Sequence, residues 1–220
     1  MCSLLPIRKP LLCYVTDRHG FRESAEGQEE LLLEKIEAAA KAEVDWIQLR
    51  EKDLFADRLA GLATEAIRLA AGLTATLIND RLDVAFAVKA AGVHLGEHGL
   101  PVSEAKRLVT ERFPKQSFLV GASVHSLEAA RRAERDGASY LIFGPVFATP
   151  SKAAFGAPQG LESLRQVCAQ LTIPVLAIGG ITPENIRECL DTGASGIAAI
   201  RLFQEAKDLS SVVRELRRAD

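Results

Sequence analysis

At 220 residues, with 27 Lys and Arg against 29 Asp and Glu, the chain is nearly neutral; it has no basic block, so nucleic-acid or membrane-surface binding finds no support. Hydrophobic residues make up 48% and charged residues 25%, the balance of an ordinary globular protein, and the longest apolar runs fall far short of a membrane span. Pro6, Arg8 and Lys9 interrupt the apolar start, so it does not read as a signal peptide, and the widely spaced Cys2, Cys13, Cys168 and Cys189 suit reduced structural thiols in a cytoplasmic protein.

Strand-like and helix-like stretches then alternate eight times. Leu11–Thr16 is a short apolar run, and within Glu26–Lys41 the residues Leu32, Ile36 and Ala39 or Ala40 share one helical face. Val44–Leu49 and Thr74–Ile78 read as the second and third strands, Ala56–Ala71 and Leu82–Ala90 as the helices that follow them. Gly92–Leu95 is the fourth strand, and Pro101, suited to a first helical position, opens a helix to about Arg112. Phe118–Ala122 is the fifth strand, and Ser126 stands where an N-cap belongs, ahead of Leu127, Ala130 and Ala133 at helical spacing. Tyr140–Phe143, stopped by Gly144-Pro145, is the sixth strand.

The loop beyond it, Ala148–Gln159, carries Thr149, Ser151 and Lys152. Loops of this length in compact domains are usually functional or disordered, and a cation beside two hydroxyls suits a phosphate; a solvated loop is the plain alternative. Leu161–Gln170 is the sixth helix and Pro174–Ile178 the seventh strand. Thr182-Pro183 caps a helix to Asp191, Gly196–Ile200 is the eighth strand, and a helix from about Leu209 closes the chain.

Parallel strands need crossover connections, which the alternation supplies. The strands are apolar without clean alternation, as when both faces are covered. Eight such units predict an α/β fold, a single (β/α)8 TIM barrel over residues 1–220. A doubly wound open sheet would carry a glycine fingerprint after the first strand, where this chain has Thr16-Asp17-Arg18. Recurring phrases such as Asp136-Gly137-Ala138 and Thr192-Gly193-Ala194 mark helix ends feeding strands at the barrel bottom, and belong to stability.

In a barrel the chemistry sits at the C-terminal ends of the strands. The polar residues there are Asp17 and Arg18, then Gln48, Arg50 and Lys52, then Asn79, Asp80 and Arg81, then His94 and Glu97. Ser123 and His125, Thr149, Ser151 and Lys152, Gly179-Gly180 and Arg201 complete the set. Period-two alternation puts Gln48, Arg50 and Lys52 on one face of an extended segment. Gly179-Gly180 lets backbone N–H groups approach an anion, in the region where barrels often bind phosphate. Asp80 can hold a magnesium ion, which takes one or two carboxylates with substrate phosphates and water. The set therefore predicts a site for two anionic groups, at least one a phosphate. Each residue also has a structural alternative: Asn79-Asp80 as a cap of the third helix, His94 as a hydrogen-bonded core histidine, His98 and His19 as solvated loop residues. His125 beside Ser123 is placed to move a proton near neutral pH.

Gln48-Leu49-Arg50-Glu51-Lys52, Ile78-Asn79-Asp80-Arg81, Gly92-Val93-His94-Leu95-Gly96, Gly144-Pro145-Val146-Phe147-Ala148-Thr149 and Ala177-Ile178-Gly179-Gly180-Ile181 resemble the thiamine phosphate synthase superfamily, in order, from Tyr14 to Phe203. That superfamily also contains a thiazole tautomerase on the same barrel. The resemblance implies a transferase of thiamine biosynthesis that joins hydroxymethylpyrimidine diphosphate to hydroxyethylthiazole phosphate, giving thiamine phosphate and pyrophosphate. It implies that Gln48, Arg50, Lys52, Asn79, Ser123 and Lys152 meet the pyrimidine diphosphate and that Asp80 binds magnesium. It also implies that Thr149, Ser151 and Gly180 serve the thiazole phosphate. Cations and a metal would stabilise the departing diphosphate, where charge develops.

Two positions depart from the pattern. The family's second magnesium aspartate falls at Gly99, which leaves Glu97, two residues earlier, to substitute; the family's serine after the last strand is Arg201, which can still bind a phosphate. Ser123-Val124-His125-Ser126-Leu127-Glu128 is similar to the tautomerase, whose histidine there moves the proton. The retained Gln48, Lys52, Asn79-Asp80 and Lys152 favour the synthase over the tautomerase and over a non-catalytic phosphometabolite-binding barrel. The expected partners are small-molecule substrates, with neither nucleic acid nor membrane; a homo-oligomer is left open.

Overall fold

The computed structural model describes residues 9–114, 117–149 and 157–219. Eight strands lie at β1 (Leu11–Val15), β2 (Trp46–Leu49), β3 (Ala75–Asn79), β4 (Gly92–Leu95), β5 (Leu119–Val124), β6 (Tyr140–Phe143), β7 (Val175–Ile178) and β8 (Gly196–Ala199). Each pairs in parallel with the next, and β8 returns to β1, so the sheet is a closed barrel. The helices between are α1 (Ala25–Lys41), α2 (Ala56–Ala70), α3 (Leu82–Ala87), α4 (Val102–Arg112), α5 (Leu127–Arg135), α6 (Gly160–Gln170) and α7 (Ile186–Leu190); α8 (Arg201–Gln204) and α9 (Leu209–Arg217) follow β8. The predicted TIM barrel is the fold observed. No helix among the described residues is long and apolar enough to cross a membrane.

Strand alternation divides the core into two layers. Leu11, Cys13 and Val15 pack inside the barrel with Trp46, Leu77, Tyr140, Ile142 and Leu176. Leu12 and Tyr14, one residue out of step, join Leu32, Ile36, Leu62, Ile186 and Leu216 in the layer between strands and helices. Each large apolar side chain so buried contributes roughly 1.5–3 kcal/mol. Cys13, Cys168 and Cys189 are free thiols, and burial pushes them up, Cys168 to about 11, so none is a ready nucleophile near neutral pH.

The Gly-Ala phrases do close the bottom of the barrel. Gly137 and Gly193 take left-handed φ values of 93° and 96°, which end helices cheaply only for glycine. The next turns hand their backbone to the ladder through Ser139 N to Val120 O (2.7 Å) and Ser195 N to Val175 O (2.8 Å). Asp45 accepts from Leu12 N and from the Arg217 guanidinium, both at 2.8 Å, which fastens α9 across the bottom.

Four local expectations shift. β5 runs on through Ser123 and Val124, because Ser123 and Val124 pair with Ile142 and Phe143. Pro101 sits one residue before α4, and its carbonyl accepts the first helical bond from Ala105 N (3.0 Å). α7 is shorter than expected and starts at Ile186: the Asn185 side chain takes the Thr182 N–H (2.8 Å) and donates to Gly180 O (2.9 Å), winding 182–185 into a turn. The short α8, unforeseen, begins at Arg201.

Candidate active site

The strand tops are built from their backbone inward. Thr16, just past β1, is buried; its hydroxyl donates to Glu51 Oε1 (2.5 Å) and accepts from Arg50 N (2.9 Å). Glu51 is 4% exposed and also accepts from Arg18 N (3.1 Å) and Arg18 Nη1 (3.2 Å). Arg18 forks onto Asp53 at 2.7 and 2.5 Å, which holds the Asp53 carboxyl well below the usual carboxylate range. Burial pushes the Glu51 carboxyl up, and its three donors oppose that. Gln204 of α8 ties the same corner: it accepts from Tyr14 Oη (3.1 Å) and Asp17 N (3.3 Å) and donates to Asp17 O (2.7 Å). Arg18 is therefore a fastener rather than a mouth cation. Arg81 is likewise taken, by Asp83 at 2.6 Å.

Three predicted cations remain without an ion pair among the described residues: Arg50, Lys52 and Arg201. Arg50 is half-buried at the end of β2. Lys52 does not continue its alternation, because β2 stops at Leu49 and Lys52 lies in an exposed turn. Gln48 is 2% exposed, and its Nε2 finds no hydrogen-bond partner among the described residues. An unpaired, half-buried guanidinium and, two residues before it, an unpartnered buried amide are groups that a polar, anionic ligand would complete.

Asn79-Asp80 is not a helix cap. Arg81 holds the cap position of α3 and makes no side-chain bond there. Asp80 takes a left-handed φ of 58°, a conformation that costs a non-glycine residue of order 1–3 kcal/mol. Three bonds hold it: Asp80 N to His94 O (2.8 Å), Gly96 N to Oδ1 (2.6 Å) and Asn79 Nδ2 to Oδ2 (2.8 Å). A carboxylate has about four lone-pair positions, so Asp80 keeps acceptors for a cation. Gly99 lies against it: a Cβ built on Gly99 would stand 3.0 Å from Asp80 Oδ1. Glu97, expected as the second metal ligand, pairs with His125, its Oε2 3.6 Å from Nε2. The other ring nitrogen of His125 bonds the Gly144 carbonyl. Among the described residues no three His, Cys, Asp or Glu side chains gather as a ligand cluster.

His94 is a core histidine, as its structural alternative foresaw, but it also touches the site. Its Nε2 lies 2.9 Å from Ser123 Oγ and its Nδ1 3.0 Å from Tyr140 Oη. Burial pushes its pKa down to about 3; Asp80 pulls the other way and Arg50 adds to the fall.

Across the barrel, the segment after β6 folds onto Gly179-Gly180. Val146 N donates to Ile178 O (2.8 Å) and Phe147 N to Gly179 O (3.0 Å). A Cβ at Gly180, φ 68°, would meet the Phe147 Cβ at 2.7 Å, so only glycine allows this approach. Gly180 N has no acceptor among the described residues, and Arg201 opens α8 beside β8, the place where barrels commonly seat a phosphate. Gln159 N to Pro145 O (2.8 Å) and Gly160 N to Val146 O (3.2 Å) join the two feet of the long loop. Thr149 is half-buried on its near foot; Ser151 and Lys152 lie outside the described residues.

Residues 12–203 match the protein family described as thiamine monophosphate synthase. The chain belongs to that family. It is 43% identical over 187 residues to a thiamine-phosphate synthase of Methanoculleus marisnigri, covering 84% of this chain and 85% of that one. A thiamine-phosphate synthase of Syntrophomonas wolfei is 40% identical over 190 residues, covering 84% and 87%. Among solved structures, the thiamine phosphate pyrophosphorylase from Pyrococcus furiosus superposes with a TM-score of 0.77 at 35% identity, covering 96% and 95% of the two chains.

The burial of Thr16, Glu51 and Tyr140 beneath the strand tops was not foreseen. Glu51 stood in the motif, between Arg50 and Lys52, but an acidic residue next to cations gives no sign that it will be buried. Tyr140 looked like any apolar strand residue.

Proposed function

We propose that the chain is a thiamine-phosphate synthase, a transferase that joins a hydroxymethylpyrimidine diphosphate to a hydroxyethylthiazole phosphate and releases pyrophosphate. The observation that carries this reading is Asp80, held by three bonds on the rim that also bears the unpaired Arg50 and the unpartnered Gln48 amide. The family and the relatives' names agree with it.

In this reading Arg50, Lys52 and Lys152 bind the diphosphate, and Gln48, Asn79 and Ser123 hold the pyrimidine. Thr149, Ser151, Gly179, Gly180 and Arg201 take the thiazole phosphate. The bond from the pyrimidine methylene to the diphosphate oxygen breaks, and its electron pair leaves with the diphosphate. The cations would stabilise that charge as it develops. The thiazole nitrogen then donates its lone pair to the methylene carbon, forming the new C–N bond. Asp80 would hold a magnesium ion, which when bound offsets negative charge on the diphosphate. Glu97, the second expected ligand, lies with its Oε2 3.6 Å from His125 Nε2, whereas Asp80 is fixed by three bonds.

The test is a product assay with purified protein, both substrates and magnesium. Thiamine phosphate and pyrophosphate are expected in equal amounts, with His125→Ala still active at reduced rate. Isomerisation of the thiazole phosphate carboxylate that depends on His125, with no thiamine phosphate at any magnesium level, would establish the tautomerase instead. Diphosphate binding without turnover would mark a non-catalytic barrel.

A further inference from the structure

Beneath the mouth, the barrel interior holds two polar side chains that the synthase reading leaves unused. Tyr140 on β6 is fully buried and His94 on β4 is 2% exposed. They form a chain of hydrogen bonds with Ser123 on β5, Tyr140 Oη to His94 Nδ1 at 3.0 Å and His94 Nε2 to Ser123 Oγ at 2.9 Å. Ser123 alone of the three is partly open to solvent.

The surroundings are shaped for this chain. Gly121 pairs with Tyr140 across β5 and β6, and a Cβ there would run into the Tyr140 ring. Trp46 packs against the Tyr140 ring with centroids 4.5 Å apart. The phenol is thus confined to one position, with its hydroxyl at His94.

A neutral imidazole has one N–H and one lone pair, so its two bonds must run in the same direction along the chain. Either Tyr140 donates to Nδ1 and Nε2–H donates to Ser123, or both bonds reverse. The phenol oxygen shares its lone pair with the ring, which makes Tyr140 a better donor and a poorer acceptor than Ser123. That difference chooses the first direction.

We infer that Tyr140 and His94 are positioning residues for Ser123: they hold its oxygen with the imidazole N–H and leave its own hydrogen free to be donated to an acceptor nitrogen of the bound pyrimidine. The ligand named here rests on the synthase reading; the direction of the chain does not.

Two measurements test it. Nitrogen-15 NMR of imidazole-labelled protein at neutral pH, without substrate, should show His94 as a single neutral tautomer protonated on Nε2. In Tyr140→Phe, which keeps the ring against Trp46, the Nδ1 signal should move as that nitrogen loses its donor. A proton on Nδ1, or an Nδ1 signal indifferent to Tyr140→Phe, would overturn the inference. In the product assay Tyr140→Phe should lower kcat/KM about fivefold, the scale of one hydrogen bond, but less than twofold in a Ser123→Ala background. Equal losses in both backgrounds would show that Tyr140 does not act through Ser123. If the unaltered protein forms no thiamine phosphate, the synthase reading fails, and the NMR result still decides the chain.

Discussion

Arg50 shows what a single residue can be asked to do. Its backbone is fixed by Thr16 Oγ1 at 2.9 Å while its guanidinium has no carboxylate partner among the described residues. Arg50→Ala should therefore lower kcat/KM by roughly tenfold or more, about 1.4 kcal/mol of transition-state stabilisation, with the melting temperature nearly unchanged; steady-state kinetics and a thermal melt check both halves. Gly99 makes the opposite kind of statement. Its missing side chain leaves Asp80 as a lone carboxylate, and a Cβ there would sit 3.0 Å from Asp80 Oδ1. Gly99→Asp places like charges side by side, so the variant should melt lower than the parent in metal-free buffer. Magnesium should raise its melting temperature more than the parent's and lower the magnesium needed for half-maximal activity. A variant indifferent to magnesium in both measurements would remove this pair from the metal site.

Among the elements, the join between β1 and β2 matters most for the site. Glu51 accepts from Thr16 and twice from Arg18, so one buried carboxylate holds two strand tops in register and sets where Arg50 emerges. Removing one side of a buried ion pair costs about 3–5 kcal/mol, because the partner stays buried and unpaired. Glu51→Gln keeps the shape and part of the hydrogen bonding, so its cost should be nearer 2 kcal/mol, or roughly 4–8 °C in melting temperature for a chain of this size. Activity should fall as well, through Arg50, although Glu51 need touch no substrate. Calorimetry with kinetics on the same variant separates the two effects, and an unchanged melt would mean the join does not rest on this carboxylate.

The whole molecule responds to pH through its interior. His94 has a folded pKa of about 3, mainly because burial penalises the imidazolium, against about 6.5 in an unfolded chain. Between those values the unfolded chain binds the extra proton, so stability rises with pH across the window and falls on acidification. The neutral His94 is fully favourable above about pH 6.5 and is lost progressively below it. At pH 5 this one group should remove on the order of 2 kcal/mol. Melting temperature measured from pH 7 to pH 4.5 in magnesium-free buffer should drop, and His94→Asn should flatten that slope.

The repeating pattern of this chain determined the barrel by itself. Apolar strands separated by helical periods leave parallel pairing as the only way to bury both strand faces, and closure after eight units puts Gln48, Asn79, Ser123, Gly179 and Arg201 at one end. Local rules sufficed there because they act over a few residues. They could not show that Arg18 and Arg81 are consumed by Asp53 and Asp83, that Lys52 falls past the end of β2, or that Glu97 turns to His125. Nor could they show that Asp80 abandons its own helix for Gly96, sixteen residues away, or that Gly121 exists to admit the Tyr140 ring. Those outcomes depend on which charge finds which partner and which side chain finds room across the barrel. Only closure of the sheet brings the candidates within the few ångströms over which hydrogen bonds and packing act.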